Sequence, residues 1–255
     1  MPWNPDVYNQ FKDIRFKPFY DLADLIKEET PMKAVDLGCG TGEQTAILTE
    51  KFPHAEFTGI DSSPEMLEKS KTLENERLHF KMAPTEEMLN SNESWDLIFS
   101  NAALQWSDDH PTLFPKLITK LKTNGQLAIQ MPYQPENILN KILYSLAEEE
   151  PFKAQLNGWN RPSAVLTIDE YAQLLFENGI EDLNLSQKVY PIIAADHETL
   201  YNFISGSALI PYLERLNQEQ QNEFTTEFKK RIAKAFPKLP AIYAFKRILM
   251  YGRKK

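Results

Sequence analysis

The chain has 255 residues but a single cysteine, Cys39. One thiol excludes an intrachain disulfide and any zinc site built on several cysteines. His54, His79, His110 and His197 show no metal-ligand spacing, so no metal is expected. No apolar run approaches the roughly 18–20 residues that span a bilayer. The opening MPWNPDVYNQFKD lacks a basic start and an apolar stretch, so it does not read as a secretory signal. The expectation is a cytoplasmic protein that avoids membranes. The N-x-S triplets at Asn92 and Asn184 are then chance matches. Hydrophobic residues at 42% and charged residues at 25% are ordinary for a globular chain, which excludes disorder as the main state.

Charge is unevenly spread. The net charge is −8, yet residues 226–255 hold ten lysines and arginines against Glu227 alone. The acidic bulk argues against nucleic-acid binding. The basic end reads as a solvated face, a small-anion site or a patch for an acidic partner.

Strands and helices alternate through the first half. The first 30 residues read as helix, with Phe11, Ile14, Phe19 and Leu22 at helical spacing. Short apolar strands are expected at Ala34–Leu37, Phe57–Ile60, Leu78–Lys81, Trp95–Ser100 and Gln126–Met131, with helices between them. Such alternation implies a doubly wound parallel α/β sheet with its ligand beyond the carboxyl ends of the strands. The second half is more helical, over 136–157 and 197–236. Further strands are expected around Leu183–Tyr190 and Phe245–Tyr251. No Gly/Ser-rich linker marks a boundary. The reading is therefore one domain over 1–255, with an N-terminal helical lid at 1–30 and a helical cap inserted at 197–240.

Val35-Asp36-Leu37-Gly38-Cys39-Gly40-Thr41-Gly42-Glu43 is the strongest local signal. A strand runs into three alternating glycines, where the chain can turn sharply and a ligand can lie against the backbone. A dinucleotide fingerprint would put its third glycine at position 43. Glu43 stands there instead, and its charge at a helix start would repel a pyrophosphate. A ligand without phosphates fits better, with Asp36 suited to an amino group. Alone, the loop could equally be a tight turn. Asp61 ends the second strand, where an acid either grips both ribose hydroxyls or caps a helix. Together the two motifs favour a nucleoside site.

D-L-G-C-G-T-G followed by G-I-D-S-S-P-E-M resembles the class I S-adenosylmethionine-dependent methyltransferases. Asn101-Ala102-Ala103-Leu104-Gln105-Trp106 is similar to a segment of the subgroup that methylates carboxylates, which includes the trans-aconitate methyltransferases. So are Trp3-Asn4-Pro5, Leu113-Phe114-Pro115, Gln130-Met131-Pro132 and Ala244-Phe245-x-Arg247. The resemblance implies a mostly parallel, seven-stranded, Rossmann-like sheet and S-adenosyl-L-methionine as cofactor. It implies that Gly38, Cys39 and Gly40 lie along the cofactor's amino-acid part, with Asp36 near its amino group. Asp61 would hold the ribose, Ser62 and Met66 would flank the adenine, and Asn101 would face the methionine end. Tyr8 and Arg15 would close over the cofactor. Relatives often carry an acid after the third strand for the adenine amino group. Pro84 stands there, which leaves the backbone of Ala83 or the hydroxyl of Thr85.

A carboxylate is already ionised at neutral pH, so no general base and no catalytic residue in that sense is expected; alignment carries the reaction. A polyanionic substrate needs converging cations. Arg161, Arg215, Lys246 and Arg247 are the candidates, with Trp106, Tyr133, Trp159 and Tyr212 lining the pocket. Two other readings stay open. One is a carboxyl methyltransferase for a malonyl group on an acidic carrier protein, docked by the basic end. The other is a protein that holds the cofactor without turnover.

Overall fold

The computed structural model describes residues 12–29 and 31–255. Its first helix, α1 (Lys12–Ala23), buries Phe19, Leu22 and Ala23. Phe19 meets Phe99 edge-on at 5.9 Å, which fastens this helix to the sheet.

Among the described residues, seven strands form one sheet in the order β3-β2-β1-β4-β5-β7-β6. They are β1 (Met32–Leu37), β2 (Ala55–Asp61), β3 (Leu78–Met82), β4 (Trp95–Asn101), β5 (Leu121–Pro132), β6 (Ile180–Ala194) and β7 (Ala241–Lys254). Strands β1 to β5 pair in parallel, and β7 runs antiparallel to β5 from Gln126↔Arg253 to Pro132↔Arg247. The α/β sheet expected from the alternation is the one observed. The last two strands extend well beyond 183–190 and 245–251.

Chain order explains the position of the site. β1 lies between β2 and β4, so the connections from β1 and β4 leave in opposite directions along the sheet. Their carboxyl ends open a crevice at that switch point. Helix α2 (Glu43–Lys51) follows β1 directly, and α3 (Pro64–Ser70) follows β2. Ser63 caps α3 and Pro64 opens it, as the sequence pattern requires.

The described residues fall into two compact units. One comprises Lys17–Pro132, Ala164–Lys188 and Arg247–Lys255; the other includes Tyr133–Ser163 and Val189–Lys246. Strands β6 and β7 run from one unit into the other. The second unit has its own apolar core, in which Leu139, Leu143, Leu209, Phe224, Phe228 and Ile232 are fully buried. It draws on helices from both 138–155 and 197–235, more chain than 197–240 alone.

Among the described residues, half of the ten basic side chains over 226–255 pair with acids within their own units. Lys229 meets Glu198 at 2.8 Å, Arg231 meets Glu149 at 2.7 Å, and Lys255 meets Glu181 at 3.0 Å. Arg253 pairs with Glu29. No helix among the described residues is long and apolar enough to cross a membrane.

His110 opens helix α5 (His110–Thr119; α4 is Thr85–Asn90) and is buried. Its Nδ1 lies 2.5 Å from the Tyr171 hydroxyl and its Nε2 2.9 Å from the Leu104 carbonyl. A neutral imidazole satisfies both, with Nε2–H donating to Leu104 and Nδ1 accepting from Tyr171. Burial lowers the His110 pKa, against the opposing pull of the Leu104 and Ser107 carbonyls. The unfolded chain therefore takes up a proton that the folded chain refuses, and stability is lost as pH falls below about 6.5. Tyr171→Phe should destabilise the protein by about 1–3 kcal/mol, the cost of stranding a buried acceptor. Urea melts at neutral pH check this, and an unchanged midpoint would contradict it.

Candidate active site

Gly38, Gly40 and Gly42 all adopt positive φ, at 74°, 57° and 75°. Two of the three are also required by packing. A Cβ at Gly38 would sit 2.1 Å from the Ala103 Cβ, and one at Gly42 would run into the Phe80 ring at 2.4 Å. A Cβ at Gly40 would meet nothing within 4 Å, so that glycine faces open space. A ligand can lie there against bare backbone.

Asp61 ties this turn to the next strand. Its Oδ2 accepts from Gly40 N at 2.9 Å, and its Oδ1 accepts from Ser63 N at 2.8 Å. The helix-start role is thus real, and each oxygen keeps a further lone pair for a ligand hydroxyl. Ser62 is exposed and Met66 half-buried beside it. Met82, the register partner of Asp61, is 62% exposed at the end of β3. It was not singled out from the sequence, although an apolar residue at a strand's carboxyl end is a readable signal. Ala83 is buried and its N–H donates to the Asp61 carbonyl at 3.1 Å, so only its carbonyl could meet an adenine amino group. Thr85 opens the short helix Thr85–Asn90.

Asp36 is 2% exposed, with the Thr45 hydroxyl donating to its Oδ2 at 2.6 Å. Burial pushes its pKa up to about 7; the Thr45 bond opposes this and the Asp61 carboxylate adds to it. Burial also raises the Cys39 thiol, with Asp36 and Asp61 adding to the rise. Cys39 therefore stays protonated and is not a nucleophile.

Asn101 sits at the end of β4. Its Nδ2 donates to Gln44 Oε1 at 2.8 Å, and its Oδ1 accepts from Gln130 Nε2 at 2.5 Å. Gln44 was missed from sequence, because a glutamine in a helix carries no motif, and Gln130 was quoted there only as part of Gln130-Met131-Pro132, with no role. The next residue, Ala102, has φ 55°, a conformation costly for a residue with a Cβ. Trp106 follows on a short turn and is 40% exposed. Tyr8 lies outside the described residues, as does the side chain of Arg15.

Four of the expected substrate residues gather in the second unit. The Arg215 guanidinium lies 3.7 Å from the centre of the Trp159 ring, and Trp159 meets Tyr212 at 4.9 Å. Arg161 N donates to the Tyr212 hydroxyl at 3.1 Å, and that hydroxyl donates to Asn160 at 2.6 Å. Tyr144 belongs to the same group: burial raises its pKa while Asn140 and Arg161 oppose the rise. Asn160 and Tyr144 had no sequence signal beyond proximity to Arg161. Tyr133 N donates to the Lys246 carbonyl at 2.9 Å, while the Lys246 ammonium is held by the Glu136 carbonyl at 3.0 Å. Arg247 is buried in the sheet unit and donates to Gln130 Oε1 at 2.8 Å.

A family model described as "Methyltransferase domain" matches residues 28–197. Trans-aconitate 2-methyltransferase of Deinococcus radiodurans is 40% identical over 98% of this chain and 97% of its own. The protein of the same name from Escherichia coli O1:K1 is 31% identical over 99% and 98%. The chain belongs to the trans-aconitate 2-methyltransferase family. Among solved structures, YcgJ of Bacillus subtilis superposes with a TM-score of 0.59 at 18% identity, over 94% of this chain and 98% of that one. Phosphoethanolamine N-methyltransferase 2 of Haemonchus contortus, solved with S-adenosyl-L-methionine, gives 0.55 at 15% over 94% and 52%. These two show the same fold.

As a methyltransferase of this family the protein uses S-adenosyl-L-methionine, and the site fits that cofactor. Gly40 leaves backbone exposed, Asp61 offers carboxylate lone pairs, and Glu43 opens α2 where a pyrophosphate would need positive charge. Gly40→Ala and Gly38→Ala should therefore separate binding from stability. Gly40→Ala should cost about 1–2 kcal/mol of stability for its backbone and most of the cofactor affinity. Gly38→Ala should cost about 2–4 kcal/mol through overpacking as well. Thermal melts with and without S-adenosylhomocysteine test this. Full ligand protection of Gly40→Ala would remove that glycine from the site.

Proposed function

We infer that this enzyme transfers a methyl group from S-adenosylmethionine to a carboxylate of a small polycarboxylic acid, of the kind for which its relatives are named. The carrying observation is the Trp159–Arg161–Tyr212–Arg215 cluster, in which the Arg215 guanidinium lies over the Trp159 ring and the Arg161 charge acts on the Tyr144 and Tyr212 hydroxyls, in an acidic protein. Arg offers a planar fork to two carboxylate oxygens. Trp106 and Tyr133 complete the apolar lining in this reading, and Lys246 adds positive charge. In this reading residues 197–240 serve as a cap, and residues 1–30, with Tyr8 and Arg15, as a lid.

When bound, the cofactor supplies a methyl carbon activated by its sulfonium, which an ionised carboxylate can displace without a general base. The protein's part is placement. Asp61 grips the ribose, Gly38 to Gly40 lie along the amino-acid part, and Ser62, Met66 and the Ala83 carbonyl border the adenine. Arg161 and Arg215 hold the substrate's remaining carboxylates so that one oxygen faces the methyl carbon. Alignment of this kind contributes on the order of 7–11 kcal/mol. Pairing of Lys229, Arg231 and Lys255 with acids neutralises part of the basic end, which supports a free acid over an acidic carrier as substrate.

A methyl-transfer screen over short di- and tricarboxylic acids, with carrier-bound malonyl included, tests the reading. Turnover is expected on trans-aconitate and its close analogues. Turnover on the carrier-bound group alone would overturn it, as would tight cofactor binding with no acceptor at all. Arg215→Ala should raise the KM for the acid at least about tenfold, the scale of a lost charged hydrogen bond, while the cofactor KM stays put. Equal changes in both would remove Arg215 from the substrate site.

Asp36 gives a separate check. With its pKa at about 7, the carboxyl is largely protonated at pH 6. A cationic amino group nearby favours the ionised form, so cofactor binding should release a proton and tighten as pH rises from 6 to 8. Calorimetry in two buffers of different ionisation enthalpy reads this directly. Identical heats in both would place the amino group elsewhere.

A further inference from the structure

Three amide side chains and one guanidinium form a continuous relay across the sheet unit. Arg247 Nη1 donates to Gln130 Oε1 at 2.8 Å. Gln130 Nε2 donates to Asn101 Oδ1, and Asn101 Nδ2 donates to Gln44 Oε1 at 2.8 Å. The relay passes from β7 through β5 and β4 to the first turn of α2. Gln130 is 0% exposed and Arg247 is 5% exposed, so water does not compete for the bond between them, while Asn101 and Gln44 are partly buried.

An amide can be turned either way, because its oxygen accepts and its nitrogen donates. A guanidinium can only donate. Gln130 must therefore present its oxygen to Arg247 and its nitrogen to Asn101. Asn101 then accepts with Oδ1 and donates with Nδ2, and Gln44 accepts with Oε1. Every bond runs away from Arg247, and the group left over at the far end is the Gln44 amide nitrogen. That nitrogen makes no hydrogen bond among the described residues. Gln44 is half-buried, follows the glycine turn directly and bonds to the residue that ends β4.

We propose that Arg247 and Gln130 are positioning residues that fix the direction of this relay, and so make Gln44 a hydrogen-bond donor to the carboxylate of the cofactor's methionine end. This rests on the assignment of the glycine turn and Asn101 to that end. Of the two charged groups there, only the carboxylate accepts a hydrogen bond. The ammonium would be repelled by an outward-facing amide N–H and attracted by an outward-facing carbonyl. Without the fixed cation the relay would have no preferred direction, and Gln44 could turn its oxygen to the site.

Gln130→Glu is the decisive variant. A glutamate still accepts from Arg247 but cannot donate to Asn101. Asn101 and Gln44 must then turn over, and Gln44 presents oxygen to the carboxylate. Full-length wild type, Q130E, Q44L and D61A are compared by calorimetry against S-adenosylmethionine and decarboxylated S-adenosylmethionine, which keeps the amine and lacks the carboxylate. Q130E and Q44L should each weaken S-adenosylmethionine about tenfold or more, on the scale of a charged hydrogen bond, and leave the decarboxylated ligand within about twofold. Equal weakening of both ligands, or of neither, would overturn the proposal. Q44L alters a residue outside the core, so it carries the test if Q130E does not fold. D61A should weaken both ligands through the shared ribose. If D61A changes neither, the site assignment itself has failed rather than the relay.

Discussion

Asp61 accepts Gly40 N with one oxygen and Ser63 N with the other, and the carboxyl end of the sheet is organised around those two bonds. The first holds the glycine turn against the end of β2; the second starts the chain toward the next helix. Gly38 N and Cys39 N add bonds to the Ile60 carbonyl, so the start of the turn is held by backbone and Gly40 by the Asp61 side chain. A carboxylate is suited to this because two ionised oxygens can satisfy backbone donors and still accept from a ligand. Its charge also acts on its neighbours. Together with burial it raises Asp36 and Cys39, so the floor beneath the turn holds a proton-rich carboxyl and an inert thiol. Of Asp36 and Asp61, only Asp61 is partly exposed.

The same division of labour recurs on a larger scale. The parallel strands supply rigid ends, and every candidate cofactor contact among the described residues lies on or just beyond one of them. Of the candidate acid-binding residues, Tyr133, Trp159, Arg161, Tyr212, Arg215 and Lys246 belong to the other unit, while Trp106 and Arg247 belong to the sheet unit. The helices of that other unit pack on a core that also takes in Ile192 and Ala194 of β6 and Ala241, Tyr243 and Phe245 of β7, so they are anchored on the far ends of the last two strands. Rings do part of the positioning there. Trp159 and Tyr212 hold one another and fix a guanidinium over the indole, so Arg215 need not be ordered by the substrate alone.

What the sequence revealed follows from locality. Alternating apolar runs specify a parallel sheet, and three glycines after a strand specify a turn, because each is decided within about ten residues. Gly38 and Gly42 have a packing reason that no local pattern shows, since Ala103 and Phe80 arrive from distant strands. The late strands were too short in the sequence reading because Ile193 and Ile242 alternate with buried neighbours on a ribbon with one exposed face. The ten basic residues near the C-terminus read as a solvated face, a small-anion site or a patch for an acidic partner. Four of them, Arg253, Arg231, Lys255 and Lys229, meet acids far away in sequence, at Glu29, Glu149, Glu181 and Glu198, so that pairing becomes visible only on folding.

Buried glutamines are the hardest case. In a strand, Gln130 resembles a surface residue, and nothing nearby in sequence marks Arg247 as its partner 117 residues on. Yet burying a guanidinium is costly unless its donors are met, and a neutral amide meets one of them without adding a second charge. A carboxylate at position 130 would hold the arginine more strongly, but it would end the chain of donors there. Glutamine accepts on one side and donates on the other, so the fixed polarity of the cation passes inward to Asn101. The weaker electrostatic partner is therefore the one that carries direction to the ends of β4 and β1.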